Sequence, residues 1–221
     1  VHVKGLRVRA GGKEILRGVT FQLSDGVNVL LGPNGSGKTT LLRAVIGMVK
    51  PLEGEVRVRS PISYVPAEFF HVQMRVLDVL LSGGRRGEYG SYLETLGVKG
   101  LIQRDFHALS SGEKKLILVA KALGEGKFVI MDEPTSNLDP RNQERLIRVV
   151  LSQRGRKDFL IATHDLDLAP LADNVVLLKE GRVKAFGPPE VTLTEAALSE
   201  LYDARIRRVQ VEGRTFFLRD L

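Results

Sequence analysis

Apolar residues along this chain fall into runs of distinct period. Over 128–131 (FVIM), and over 27–31 (VNVLL) save for Asn28, they are continuous, the pattern of strands buried on both faces of a parallel sheet. Further strand-like runs cover 3–8, 19–23, 55–58, 62–65, 159–162, 175–178 and 182–186. The early ones alternate apolar with polar residues and are joined by turns holding Gly11-Gly12 and Asp25-Gly26, which predicts an antiparallel flank. Helical spacing appears over 38–48, 75–81, 88–96, 112–123, 140–151, 166–172 and 194–202. Residues 68–110 offer helices and no strand, and read as an inserted helical lobe. The predicted architecture is therefore α/β, with one domain over 1–221: a core with its β flank from 1–67 and 111–190, the lobe over 68–110, and a tail over 191–221.

Composition narrows this only a little. With 221 residues, 43% hydrophobic and 27% charged, the chain can build one substantial core. A net charge of +7 is compatible with nucleic acid, anionic lipid or nucleotide phosphates. The basic residues sit in small groups (Arg85 with Arg86, Lys114 with Lys115, Arg205 with Arg207 and Arg208) without interleaved aromatics to stack bases. They read as solvated faces, and no specific nucleic-acid partner is expected. Cysteine is absent, so disulfides and thiolate metal sites are excluded. No apolar run approaches the ~20 residues of a membrane span, and the first residues lack the apolar core of a signal peptide. The expected location is cytoplasmic, with membrane contact only through a partner.

Chemistry enters at the ends of the apolar runs, where open α/β sheets bind ligands. The stretch GPNGSGKTT comprises Gly32, Pro33, Asn34, Gly35, Ser36, Gly37, Lys38, Thr39 and Thr40. It follows a strand, opens a helix and fits the phosphate-loop pattern. Glycines let main-chain N–H groups curl around phosphates, and the helix start adds positive potential. Lys38 is expected to reach the β- and γ-phosphates of ATP, and the Thr39 hydroxyl to ligate Mg²⁺. The run 128–131 ends in Asp132 and Glu133. Asp132 is the expected Mg²⁺ partner through water, and Glu133 the general base for the attacking water. His164 ends a third apolar strand in ATHD and is a candidate γ-phosphate contact. His2, His71 and His107 lack such a context and are read as structural.

With these motifs the chain resembles the ATP-binding-cassette (ABC) ATPases over essentially its whole length. The likeness rests on GPNGSGKT, LSSGE at 109–113, the strand ending in Asp132-Glu133, SNLD at 136–139, and His164. It implies a P-loop NTPase (RecA-like) core and a head-to-tail dimer with two ATPs between subunits. In such a dimer Ser110, Ser111, Gly112 and Glu113 would contact the γ-phosphate held by the partner's Lys38, and Asp139 would link the two sites. It also implies a transmembrane permease, a substrate-binding protein, and a position peripheral to the inner face of the cell membrane. The second ATPase subunit would be a copy of this chain or a different one.

Three positions depart from the family pattern. The signature, usually LSGGQ, is LSSGE, which adds a side chain at Ser111 and a carboxylate at Glu113. The usual glutamine after strand 62–65 is replaced by Ala67, followed by Glu68, which would reach Mg²⁺ if the loop shifts by one residue. An aromatic that usually stacks on adenine is replaced by Ala10, so weaker ATP binding is expected, by on the order of 1–3 kcal/mol for a lost stack. The tail, from 138–143 through 164–169, 181–190 and 193–218, is similar to ATPases of metal-chelate importers for iron-siderophore, haem or cobalamin. The alternative is a non-transport ABC ATPase acting on nucleic acid, ribosomes or iron-sulfur assembly. The basic charge favours it slightly; long coiled-coil insertions or a second cassette, known in such proteins, are absent from this sequence.

Overall fold

The computed structural model describes residues 1–58, 61–69, 73–83 and 87–219. His71, Arg85 and Arg86 lie outside the described residues. The chain forms two compact units, Val1–Arg59 with Leu160–Leu221, and Ser60–Phe159.

In the first unit, β1 (His2–Ala10) and β2 (Lys13–Gln22) form the expected antiparallel hairpin around Gly11-Gly12, and β4 (Glu53–Arg57) adds antiparallel to β1. Val3 and Leu6 both face the core although three residues apart, which simple alternation forbids. A register shift between them, with Gly5 at φ 59°, inserts the extra residue of a β-bulge and restores the inward phase. β3 (Val27–Leu31) is wholly buried and runs parallel to β8 (Asn174–Lys179), with Asn28 opposite Asn174 and Leu31 opposite Leu177. β9 (Arg182–Gly187) returns antiparallel to β8 through the Glu180-Gly181 turn. The helices of this unit are α1 (Lys38–Val45), α6 (Pro189–Thr192) and α7 (Glu195–Tyr202), the last capped by the Thr194 hydroxyl accepting from Ala197 N–H.

Two expectations in this unit need correction. The helix read over 166–172 is only a 3₁₀ turn at Ala169–Leu171. Its approach is held by side chains: Asp165 N–H donates to Thr163 Oγ1 and Asp167 N–H to Asp165 Oδ1, and Pro170 has no N–H to extend a helix. The tail is also more than a helix. A hairpin of β10 (Ile206–Val211) and β11 (Arg214–Arg219) closes it, in unbroken register around Glu212-Gly213, both at positive φ. That turn chemistry specifies a two-residue hairpin. Both faces are largely exposed, so no apolar alternation announced it.

In the second unit, β5 (Ile62–Val65) runs parallel to β6 (Phe128–Asp132), with Ile62 opposite Phe128 and Val65 opposite Met131. The described part of 68–110 holds α2 (Val76–Leu81), α3 (Gly90–Thr95), 3₁₀ turns at Lys99–Leu101 and Phe106–Ala108, and an isolated bridge between Arg75 and Asp105. Then come α4 (Ser111–Glu125) and α5 (Pro140–Ser152). α4 turns Leu116, Ile117, Val119, Ala120 and Leu123 inward, each large side chain contributing about 1.5–3 kcal/mol by leaving water. β7 (Asp158–Thr163) carries the chain from the second unit back to the first.

Candidate functional site

In the first unit the phosphate loop joins β3 to α1. Gly37 stands at the helix start with φ 105°, where a Cβ would lie 3.0 Å from Leu16 Cδ2. It brings no side chain to cap α1, and the first turn of that helix holds no carboxylate. Main-chain donors and the positive end of the helix dipole are thus left for an anion. Gly32 is equally constrained: a Cβ there would come within 2.2 Å of the Leu178 carbonyl oxygen and 2.6 Å of Ser36 Oγ. The Lys38 side chain lies buried along the loop, its ammonium donating to the Gly32 carbonyl at 2.7 Å and the Pro33 carbonyl at 3.3 Å. Ser36 is buried too, while Asn34 and Gly35 are exposed and Pro33, Thr39 and Thr40 half-buried.

A pin outside the motif holds this loop. Gly181 N–H donates to the Ser36 carbonyl at 2.9 Å, and Arg17 N–H donates to the Gly181 carbonyl at 2.9 Å. Main chain approaches so closely that a Cβ at Gly181 would lie 1.9 Å from the Ile15 carbonyl oxygen. Sequence reasoning missed this residue. The one signal was a glycine in a tight turn of the tail. His164, just past β7, is exposed, and its carbonyl accepts from the Tyr202 hydroxyl at 3.1 Å. Ala10 ends β1 opposite Lys13 and is exposed.

In the second unit, Asp132 is wholly buried at the carboxyl end of β6. Glu133 follows at φ 47°, a left-handed conformation that costs a non-glycine residue on the order of 1–3 kcal/mol. The turn is held by Ser136, whose N–H and hydroxyl both donate to the Glu133 carbonyl, at 3.2 and 2.7 Å. It leads to Asp139, the N-cap of α5, which accepts from Asn142 N–H at 2.9 Å and from the Asn142 side chain at 2.8 Å.

The LSSGE segment starts α4 one residue before the expected Gly112. Ser110 is the N-cap and Glu113 the third helical residue, and the two form a capping box. Glu113 Oε2 accepts from Ser110 N–H at 2.8 Å and from the Ser110 hydroxyl at 2.9 Å, while Glu113 N–H donates back to Ser110 Oγ at 3.2 Å. These bonds hold the Glu113 carboxyl below the usual carboxylate range, the main-chain donor contributing most. The Glu113 substitution thus completes a helix start, a reading that Ser-x-x-Glu already allowed. Ser110 and Ser111 are exposed, and a Cβ at Gly112 would lie 3.0 Å from the Asn137 carbonyl oxygen, so the signature packs against the SNLD turn.

Lys115, two residues on, was read as part of a solvated basic pair. It is completely buried. Its ammonium donates to the Pro66 and Ala67 carbonyls, both at 3.1 Å, and lies 4.9 Å from the centre of the Phe69 ring. Burial pulls its pKa down to about 8, against the opposing pull of the Asp132 and Glu133 charges. Glu68 is exposed on the same loop. Among the described residues no group of three or more His, Asp or Glu is placed to hold a metal by itself. No helix among them is long and apolar enough to cross a membrane.

The sequence pattern of the ABC transporter family matches residues 16–136. The chain is 34% identical, over 218 residues, to the zinc import ATP-binding protein ZnuC of Alkalilimnicola ehrlichii, covering 93% of this chain and 84% of that one. It is 35% identical to the hemin import ATP-binding protein HmuV of Streptomyces coelicolor, covering 90% of this chain and 81% of the other. A solved structure presented as a metal-chelate type ABC transporter in an inward-facing conformation superposes with a TM-score of 0.85 at 26% identity, covering 100% of this chain and 97% of that one. Phosphate loop, acidic strand end and signature thus occur in a chain whose likeness runs nearly end to end, and it belongs to the ABC transporter family, as an ATP-binding subunit whose ATP hydrolysis is coupled to transport.

Proposed function

We propose that this chain powers a permease importing a metal chelate, as one of two ATPase subunits in a head-to-tail pair at the inner face of the cell membrane. A substrate-binding protein would deliver the cargo, which would not touch this chain. The substrate class is supported by the breadth of the likeness to the hemin and zinc proteins, at 90% and 93% of this chain. Within the single domain, 1–67 and 111–190 would form the nucleotide-binding core, 68–110 the helical lobe and 191–221 the tail.

The observation that carries the catalytic reading is Glu133, held left-handed directly after a buried Asp132 at a strand end. ATP phosphates would lie in the 32–37 loop, and Lys38 would exchange the Gly32 and Pro33 carbonyls for β- and γ-phosphate oxygens. Thr39, in the first turn of α1, Asp132 and Glu68 would each offer an oxygen donor of the kind that suits Mg²⁺. When bound, Mg²⁺ neutralises charge on the β- and γ-phosphates. Glu133 would orient the attacking water and accept its proton as the bond from the γ-phosphorus to the bridging oxygen breaks, leaving ADP and phosphate. His164 would donate to the γ-phosphate. From a second subunit, Ser110, Ser111, Gly112 and Glu113 would close over that phosphate, with Asp139 nearby linking the two sites. Closure with ATP and reopening after hydrolysis would switch the permease.

The test is the solution mass of Glu133→Gln by light scattering, with and without Mg-ATP, beside wild-type turnover. The expected result is an ATP-dependent doubling of mass and loss of turnover. Full turnover in the variant would remove Glu133 as base. A monomer that still binds ATP would replace the symmetric pair by one with a different ATPase subunit.

A further inference from the structure

α4 presents three lysines whose ammonium groups end on main-chain carbonyls of the segments around it. Lys114 donates to His107, Lys121 to Leu80 and Ser82, and Lys115 to Pro66 and Ala67. Lys115 alone of the three is completely buried. Burying an ammonium is unfavourable unless its protons are matched and its charge compensated. Both conditions are met by groups relevant to hydrolysis. Two protons go to the loop that leaves β5, the Phe69 ring faces the charge, and the balancing negative charges are Asp132 and Glu133. A methionine would fill the same volume without a buried charge, so packing alone does not explain a lysine here.

We propose that Lys115 is a positioning residue of the ATPase, tying the loop Pro66–Ala67 to the Asp132–Glu133 carboxylate pair. The inference rests on the hydrolytic role proposed for that pair. The Ala67 methyl can neither donate nor accept a hydrogen bond, so this loop engages the ammonium through its backbone. Any displacement of the loop strips two hydrogen bonds from a buried cation whose charge acts on Asp132 and Glu133. Loop position and the electrostatic setting of the base therefore change together.

The experiment measures ATP turnover and ATP binding for Lys115→Met and Lys115→Arg, with Lys38→Ala as a control. In Lys115→Met, kcat should fall by about 10–100-fold, the range for losing a group that orients a catalytic one, while KM for ATP moves by less than about threefold. Lys115→Arg should recover most of the lost kcat. Should Lys115→Met fail to unfold cooperatively, Lys115→Gln, which keeps a donor for the carbonyls but no charge, carries the same expectation. Unchanged kcat in the uncharged variant overturns the inference. So does a loss that arginine leaves unrepaired, because that is the mark of a packing defect. If Lys38→Ala hydrolyses ATP like the wild type, the phosphate-loop reading itself fails. If Lys38→Ala is inactive while Lys115→Met is fully active, only the role of Lys115 falls.

Discussion

Ser110 and Glu113 hold each other reciprocally at the start of α4. The serine oxygen accepts from Glu113 N–H at 3.2 Å, and the glutamate carboxylate accepts from Ser110 N–H at 2.8 Å and its hydroxyl at 2.9 Å. A carboxylate at this signature position is therefore engaged with its own helix start. Glutamine can form the same box, with one donor bond reversed, and would carry no charge toward an incoming phosphate.

Glu113→Gln should keep the stability of the wild type and strengthen ATP-driven dimerisation, read as a lower ATP concentration at half-maximal mass change. Glu113→Ala should cost about 0.5–2 kcal/mol in denaturant unfolding by loss of the cap. The folded-state pKa of Glu113 is depressed, so its contribution is present above the ordinary carboxylate range and fades as pH falls through the folded value. The stability difference between wild type and Glu113→Ala should therefore shrink on acidification.

Lys115 adds a dependence of the same sign at high pH. Its folded pKa of about 8 lies below its ordinary 10.5, so between these values the unfolded chain binds more protons than the folded one. Stability from this residue rises with pH across that window, by up to about 3 kcal/mol at about 1.4 kcal/mol per unit. Urea unfolding of the wild type and Lys115→Met at pH 7.5 to 10.5 should show the wild type gaining stability relative to the variant as pH rises. Parallel curves would mean that the ammonium is not held in a dry site.

Gly181→Ala tests the pin on the phosphate loop. With φ at 73° and the Ile15 carbonyl 1.9 Å from a Cβ, the substitution forces main chain apart. It should destabilise the fold by at least about 2 kcal/mol and weaken ATP binding, since Gly181 N–H holds the Ser36 carbonyl. Wild-type ATP affinity by calorimetry would show that the loop keeps its shape without this contact.

Ala10→Tyr addresses adenine recognition. Ala10 is exposed at the end of β1, where the added ring has room. If adenine stacks there, ATP should bind tighter by about 1–3 kcal/mol, with preference over GTP increased. Equal affinity for the two proteins would place adenine elsewhere.

Sequence alone determined the parts of this protein whose signal is local. The runs 27–31 and 128–131 read as buried parallel strands, and the structure has β3 and β6 there, because strands covered on both faces are almost wholly apolar; the buried exception, Asn28, donates its amide to the Ser24 and Gly26 carbonyls. The strand, loop and helix around Gly32–Lys38 were legible because the glycines and lysine lie within one turn between an apolar run and a helical one. What only the tertiary structure decided depends on residues distant in the chain. Lys115 is polar by composition, yet Pro66 and Ala67, far earlier in sequence, supply the carbonyls that let its ammonium be buried. Gly181 is one glycine among many until Ile15 and Ser36 close around it. The helix expected over 166–172 lost to hydrogen bonds that the Thr163 and Asp165 side chains accept from main-chain N–H groups, and the hairpin of β10 and β11 escaped notice because its faces remain wet. Periodicity reports which face a residue turns to the core; it carries no information about which distant main-chain atoms will meet it there.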